Sequence, residues 1–270
     1  MALNWLITGC SSGFGRALTL AALDRGDRVM ATARRPSDLA FPGDQVRTFP
    51  LDVTDPDAPQ RAVDATVDAF GRLDVVVNNA GFATVGAVEE TTMDELRETM
   101  EVMFFGAVAV TKAAVPVLRA QGRGAIVQIS SMGGQLSFAG VGAYSAAKFA
   151  LEGLSEALAA ELAPHGVRVM IVEPGAFRTE LNGSRMIAAA PLDAYRDTAG
   201  VTRENLAADD GKQPGDPAKA ARIIVDLVHG DEAPLRLPLG RDAVDALRAH
   251  RTRLADDLAR WEHLSVATAH

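Results

Sequence analysis

Cysteine occurs once in the 270 residues, and tyrosine and tryptophan twice each. A single cysteine, Cys10, excludes an intramolecular disulfide and fits a reducing compartment; in its tight loop it reads as a small filler. The five histidines are dispersed and no Cys/His cluster has ligand spacing, so no metal site is expected. Long hydrophobic runs are missing too. Although 48% of the residues are hydrophobic, no uninterrupted apolar run reaches the roughly 18 residues of a membrane span, and a soluble chain with no membrane partner is expected. Positive charge is in deficit. A formal net charge of −8 argues against nonspecific attraction to nucleic acid or an anionic membrane, so any anionic ligand must be held by a local basic patch. The opening "MALNWLITGCSSGFG" has no basic start and no cleavable apolar stretch, which predicts no export signal and, by default, a cytoplasmic location.

What is present is an alternation. Short apolar runs recur at "NWLITG", "RVMATA", "VRTFPLD", "LDVVVNNAG", "GAIVQIS" and "VRVMIVEPG", and segments of helical spacing lie between them, notably 11 to 25, 55 to 70, 92 to 120 and 143 to 163. Strands that are apolar on both faces and joined by helices predict an α/β fold, a doubly wound Rossmann-type parallel sheet covered by helices on both faces and forming one domain over residues 1–270. Residues 181–215 break the rhythm with mixed small and polar residues, and are expected to form an irregular lid over a site. A terminal helix follows at about 241–263. Its apolar stripe of Val244, Leu247, Leu254, Leu258 and Trp261 is expected to be core or subunit contact.

The first strand runs into "TGCSSGFGRALTLAALDRG", where Gly9, Gly13 and Gly15 precede a helix. Glycines permit a tight turn and close backbone approach, and a helix N-terminus offers unpaired N–H groups to a phosphate, an arrangement suited to a dinucleotide pyrophosphate. After the second strand comes "ATARRP". An acidic residue there would bind a ribose 2′-hydroxyl and repel a 2′-phosphate. Arg34 and Arg35 instead predict a preference for NADP(H), with Arg34 as the phosphate contact and Arg35 as a helper. NAD(H) is the alternative, with both arginines as solvated surface charge.

In "GAYSAAKFA", Tyr144 and Lys148 fall on one helix face and can address one reacting centre. A nearby ammonium favours phenolate and lowers a tyrosine pKa, which suits proton transfer. Just upstream "IVQISS" places Ser131 at the carboxyl end of a strand, where open α/β sheets bind ligands.

With these residues assembled, the sequence resembles the short-chain dehydrogenase/reductase superfamily over essentially residues 3 to 240. "TGCSSGFG" is similar to its TGxxxGxG turn, "LDVT" to its adenine-contacting segment, "NNAG" to its fourth-strand motif, "YSAAK" to its YxxxK and "PGAFRT" to its PGxxxT nicotinamide contact. The resemblance implies that Tyr144 is the general acid in reduction and the general base in oxidation. It implies that Lys148 lowers the pKa of Tyr144 and holds the nicotinamide ribose, and that Ser131 hydrogen-bonds the substrate oxygen. Cofactor contacts are implied for Gly9, Ser12, Gly13, Phe14, Gly15, Asp52, Val53, Asn79, Ala80, Gly81, Pro174, Gly175, Phe177 and Thr179, together with Tyr144 and Lys148. A homodimer or homotetramer is implied, packed through the helices at 92 to 120 and 143 to 163. The substrate implied is a carbonyl or secondary alcohol. Phe82, Ala83, Thr84, Leu136 and Phe138 are its expected walls, and their apolar character predicts a fairly hydrophobic molecule.

One position departs from that family. Its members carry an asparagine within a "DVNFFG" type of sequence, in a slightly distorted helix, where it supports a lysine-linked water that relays protons; here residues 101 to 106 read "EVMFFG" and the position is Met103. A thioether cannot replace an amide's donor and acceptor. Three readings stay open: a working dehydrogenase or reductase supplied with protons by backbone-held water or another route, a redox-neutral enzyme such as an epimerase, and an NADP(H)-binding protein with little turnover.

Overall fold

The apolar runs form one seven-stranded, wholly parallel sheet in the order β3-β2-β1-β4-β6-β7-β9. The strands are β1 (Asn4–Ile7), β2 (Arg28–Ala33), β3 (Val46–Pro50), β4 (Val75–Asn78), β6 (Gly124–Ile129), β7 (Val167–Pro174) and β9 (Arg236–Leu239). These come from a computed structural model that describes residues 2–182 and 186–268. Every residue of β1 and β4 is buried, as a strand covered on both faces requires. Trp5 of β1 pairs with Val29 on one side and Val75 on the other. Chain order therefore reverses between β1 and β4, and that switch opens a crevice at the carboxyl ends of the strands.

Alternation along the strands sends side chains to two cores. Trp5 and Ile7 meet Leu18 and Ala22 of α1 (Gly13–Asp24) and Ile224 and Val228 of α7 (Pro217–His229). Leu6 and Val76 meet Val63 of α2 (Ala58–Phe70), Val110 and Leu118 of α4 (Gly106–Gln121) and Leu162 of α5 (Gly142–Leu162). Each fully buried aliphatic side chain contributes roughly 1.5–3 kcal/mol of transfer free energy, so both faces of the sheet are held and the crevice loops rest on a rigid base.

Between β4 and β6 the chain runs through a short strand β5 (Ala83–Val85), α3 (Met93–Met100), a π-helical turn at Glu101–Phe105 and α4. Thr92 caps α3 reciprocally with Glu95. The continuous helix Met93–Gln121 is long and apolar enough to cross a membrane by length and composition, with a mean hydropathy of 1.6 over its most apolar 18 residues. In this fold it packs against α2 and α5 and places Val110, Ala114 and Leu118 in the core.

One expectation needs correction. The 181–215 segment is more ordered than its composition predicts: β8 (Met186–Ala188) pairs in parallel with β5, and short helical turns lead into α6 (Val201–Ala208). Residues 183–185 of that expected lid lie outside the described residues. The segment is pinned by Glu90, whose carboxylate accepts from the Leu192 amide (2.8 Å), the Ala87 amide (2.7 Å) and Arg203 Nη2 (2.9 Å). The terminal helix α8 (Arg241–Val266) extends slightly past its expected end, and only the first half of its stripe is core. Leu247 is 2% exposed, whereas Leu254, Leu258 and Trp261 are 54%, 68% and 49% exposed because α8 overhangs the body of the chain.

Candidate active site

The crevice is a cleft of about 970 Å³ at the carboxyl ends of β1, β2, β4, β6 and β7. One wall is the turn from β1 into α1. Gly9 and Gly13 adopt φ of +70° and +53°, and a Cβ on Gly9 would lie 2.9 Å from Ala80 Cα, so both conformation and space call for glycine. The N-cap residue of α1, Ser12, makes no side-chain cap, which leaves the first amides of the helix available toward the cleft. This uncapped, glycine-cradled helix start fits a dinucleotide pyrophosphate. Gly15 is the exception among the expected contacts: it does not line the cleft, and a Cβ there would collide with Gly9 O and Asn79 Nδ2. It serves close packing of α1 on the turn.

Neighbouring segments lock this wall. Thr8 Oγ1 accepts from the amides of Asn79 and Ala80, both at 2.9 Å, and Asn79 Nδ2 donates to Thr8 O (2.8 Å) and Gly9 O (3.1 Å). Asn79, Ala80 and Gly81 line the cleft, yet the Asn79 amide is engaged in fixing the glycine turn. Phe14 and Phe177 pack with their rings tilted by 59° and 5.0 Å between centroids, and Thr179 lies over Gly13. Pro174 and Gly175 complete this rim.

At the β2 end, Arg34 is exposed, lines the cleft and has no partner among the described residues. Arg35 differs: its Nε is paired with Asp38 Oδ2 at 3.0 Å. Asp52 accepts from the amide and hydroxyl of Thr54 at 3.0 and 2.8 Å, and Val53 is buried beneath it.

The residues expected to carry the chemistry meet on the opposite wall. Ser131 caps a short 3₁₀ turn, accepting from the Gly133 amide at 3.0 Å, and its Oγ lies 3.5 Å from Pro174 O. Tyr144, in the first turn of α5, and Lys148, one turn on, both line the cleft. Lys148 Nζ donates to Ile129 O at 2.9 Å and stands 5.7 Å from the Tyr144 ring centroid. Burial pushes the Tyr144 phenol above its ordinary value, opposed by the Ser131 hydroxyl. The one-turn spacing of Tyr144 and Lys148 alone predicts the opposite direction. Desolvation outweighs the ammonium here because Lys148 is itself buried and turned to the Ile129 carbonyl; burial pulls it down to about 8 while Glu152 opposes.

Met103 sits in the π-helical turn, 2% exposed, lining the cleft against Gly81. The Gly106 amide donates to Glu101 O across five residues, so the helix distortion is present with methionine at its centre. Phe82, Ala83, Thr84 and Phe138 line the cleft as expected. Leu136 does not: it is buried behind the 3₁₀ turn.

Sequence reasoning missed a buried ionic cluster behind Ser131. Glu152, Glu173 and Arg236 join there with Ser130 and Gln135. The available signal was Glu173 in "VRVMIVEPG", a carboxylate at the end of an otherwise apolar strand.

The short chain dehydrogenase family profile matches residues 4–188. Oxidoreductase BOA17 of Botryotinia fuckeliana (strain B05.10) is 41% identical over 271 residues, with 98% of each chain covered. A solved short-chain dehydrogenase from Streptomyces avermitilis superposes with a TM-score of 0.93 at 48% identity, over 100% of both chains. A short chain dehydrogenase from Burkholderia cenocepacia J2315, in complex with NADP, superposes with a TM-score of 0.76 at 25% identity, over 96% of this chain and 97% of that one.

Proposed function

The chain belongs to the short-chain dehydrogenase/reductase superfamily, and we propose that it transfers hydride between NADP(H) and a carbonyl or secondary alcohol of a hydrophobic small molecule. The observation that carries this reading is the convergence of Ser131, Tyr144 and Lys148 on the cleft that also receives the uncapped start of α1. Gly9, Ser12, Gly13 and Phe14 would hold the pyrophosphate, Arg34 the 2′-phosphate, and Asp52 and Val53 the adenine. Asn79, Ala80, Gly81, Pro174, Gly175, Phe177 and Thr179 would flank the nicotinamide half. When bound, the nicotinamide supplies hydride in reduction and accepts it in oxidation.

The protein's part is proton delivery and orientation. Tyr144 Oη gives its proton to the carbonyl oxygen, and burial that keeps the phenol protonated suits reduction. Ser131 Oγ, only weakly held by Pro174 O, donates to the same substrate oxygen. The Lys148 ammonium stabilises the phenolate left behind and holds the ribose. Phe82, Phe138, Met103 and Leu206 give the substrate end its apolar walls. Assembly as a homodimer or homotetramer belongs to the same reading, supported by Phe105 beside α4 and Phe149 on α5, which are 52% and 46% exposed.

Tyr144→Phe should lower turnover by roughly 10²–10⁴-fold while NADPH affinity, read by fluorescence titration, stays near wild type. Substantial turnover in that variant overturns the assignment. Met103, which brings no amide to the relay position, favours a second reading in which redox turnover is curtailed. NADPH oxidation by wild type and Met103→Asn, side by side over a carbonyl panel, separates the two. Comparable rates support a reductase that takes protons by another route, and turnover by the variant alone supports curtailed chemistry.

A further inference from the structure

Lys148 and Glu152 lie four residues apart on one face of α5, and both are buried, at 6% and 2% exposure. Glu152 Oε1 accepts from Ser130 Oγ at 2.6 Å, directly before Ser131 in the chain. A Cβ on Gly134 would run into the same carboxylate, so Glu152 is packed against both flanks of the loop that carries Ser131. On its far side Glu152 meets Arg236 Nη1, which also reaches Glu173 at 2.9 Å, while Nη2 holds Glu156 at 2.8 Å. Glu173 accepts from Gln135 Nε2 at 2.5 Å, and Arg251 of α8 donates to Gln135 Oε1 at 3.0 Å. Glu98 of α3 faces the cleft from the opposite wall.

We infer that Glu152 is a positioning residue that keeps Lys148 in its ammonium form and fixes the loop bearing Ser131, so that Arg236 and Glu173 act on the reaction centre through it. The inference rests on the reading of Lys148 and Ser131 given above. Its physical ground is charge balance in a low-dielectric region. The buried carboxylates of Glu152 and Glu173 are ion-paired to Arg236, the buried Lys148 lies one turn from Glu152 on the same helix face, and Glu156 is exposed. Neutral Lys148 would leave a surplus of buried negative charge, which is costly. Burial and the Glu173 carboxylate push the Glu152 carboxyl up, while the Ser130 hydroxyl and Arg236 oppose this. The Arg236 guanidinium against Glu152 is the contact that favours its ionised form.

The test follows the Lys148 amine without turnover, by competitive acetylation of the cofactor-free protein across pH 6 to 10 with mass spectrometric readout, alongside the pH profile of reduction. Glu152→Gln should move the Lys148 midpoint and the alkaline limb of kcat down together by about one pH unit. Glu152→Asp should restore both toward wild type. Ser130→Ala, which keeps the charge, should lower kcat and leave the midpoint in place. Should Glu152→Gln fail to fold, Glu173→Gln removes the neighbouring charge at constant shape and should give a smaller shift in the same direction. An unmoved midpoint in every carboxylate-to-amide variant that folds overturns the inference, even if kcat falls. Tyr144→Phe separates the two failures: an inactive Tyr144→Phe with an unmoved midpoint removes only the role of Glu152, whereas an active one removes the catalytic reading.

Discussion

At the proposed cofactor cradle the cleft surface is backbone, whereas at the proposed reaction end it is buried charge. Gly9, Gly13 and the first amides of α1 shape the cradle, and their partners Thr8 and Asn79 act by bonding main-chain groups. The reaction end is set by Lys148, Glu152, Glu173 and Arg236, whose positions depend on elements far apart in sequence: Arg236 meets Glu152 across 84 residues. A backbone surface tolerates little change in conformation and is indifferent to pH. A charge cluster tolerates small shifts of shape and is governed by the protonation of its members.

The largest expected effect breaks the backbone side. Gly9→Val places a β-branched side chain at φ +70° and within collision distance of Ala80. It should abolish detectable dinucleotide binding and destabilise the protein by about 1–3 kcal/mol, measured by titration calorimetry and thermal melting. Binding retained near wild type would mean that the cradle is not made by backbone shape.

Arg34→Ala sharpens the comparison at the one cradle position where a side chain is expected to decide. Arg34 is exposed and lacks a partner among the described residues, whereas Arg35 is paired with Asp38. Loss of a charge-assisted contact should reduce the NADPH to NADH affinity ratio by about 10–100-fold, and Arg35→Ala should change it less. An unchanged ratio in Arg34→Ala removes the assignment of the 2′-phosphate to this residue.

The same division explains what was legible in the sequence. The alternation of strand and helix, the glycine turn, Ser131 and the Tyr144–Lys148 pair are legible because each rests on a local rule: apolar runs, glycine spacing or one helical turn. Gly15 is expected at the cofactor through the TGxxxGxG resemblance, and only its close contact with Gly9 and Asn79 reveals a packing role. The order of the lid was hidden because its ties are long-range, with Arg203 bonded to Glu90 across 113 residues and β8 pairing with β5. The rise of the Tyr144 phenol is hidden from the sequence for a related reason: one-turn spacing reports that a lysine is near, but not how far both groups are desolvated.

The smallest expected effect concerns the charge side alone. An unfolded lysine keeps its proton up to its ordinary value of 10.5, whereas burial lets folded Lys148 release it at about 8. Between those values the unfolded state binds more protons, so this group makes stability rise with pH; the gain is lost as pH falls through about 8. Lys148→Met removes that linkage. The difference in unfolding free energy between wild type and variant, from urea titrations of cofactor-free protein, should change in favour of wild type between pH 8 and 10, by at most about 1.4 kcal/mol per pH unit. The backbone variant Gly9→Val should run parallel to wild type over the same range, because no titrating group is altered. If the wild-type and Lys148→Met curves also run parallel, Lys148 titrates as an ordinary surface lysine and the two ends of the cleft are not set by different forces.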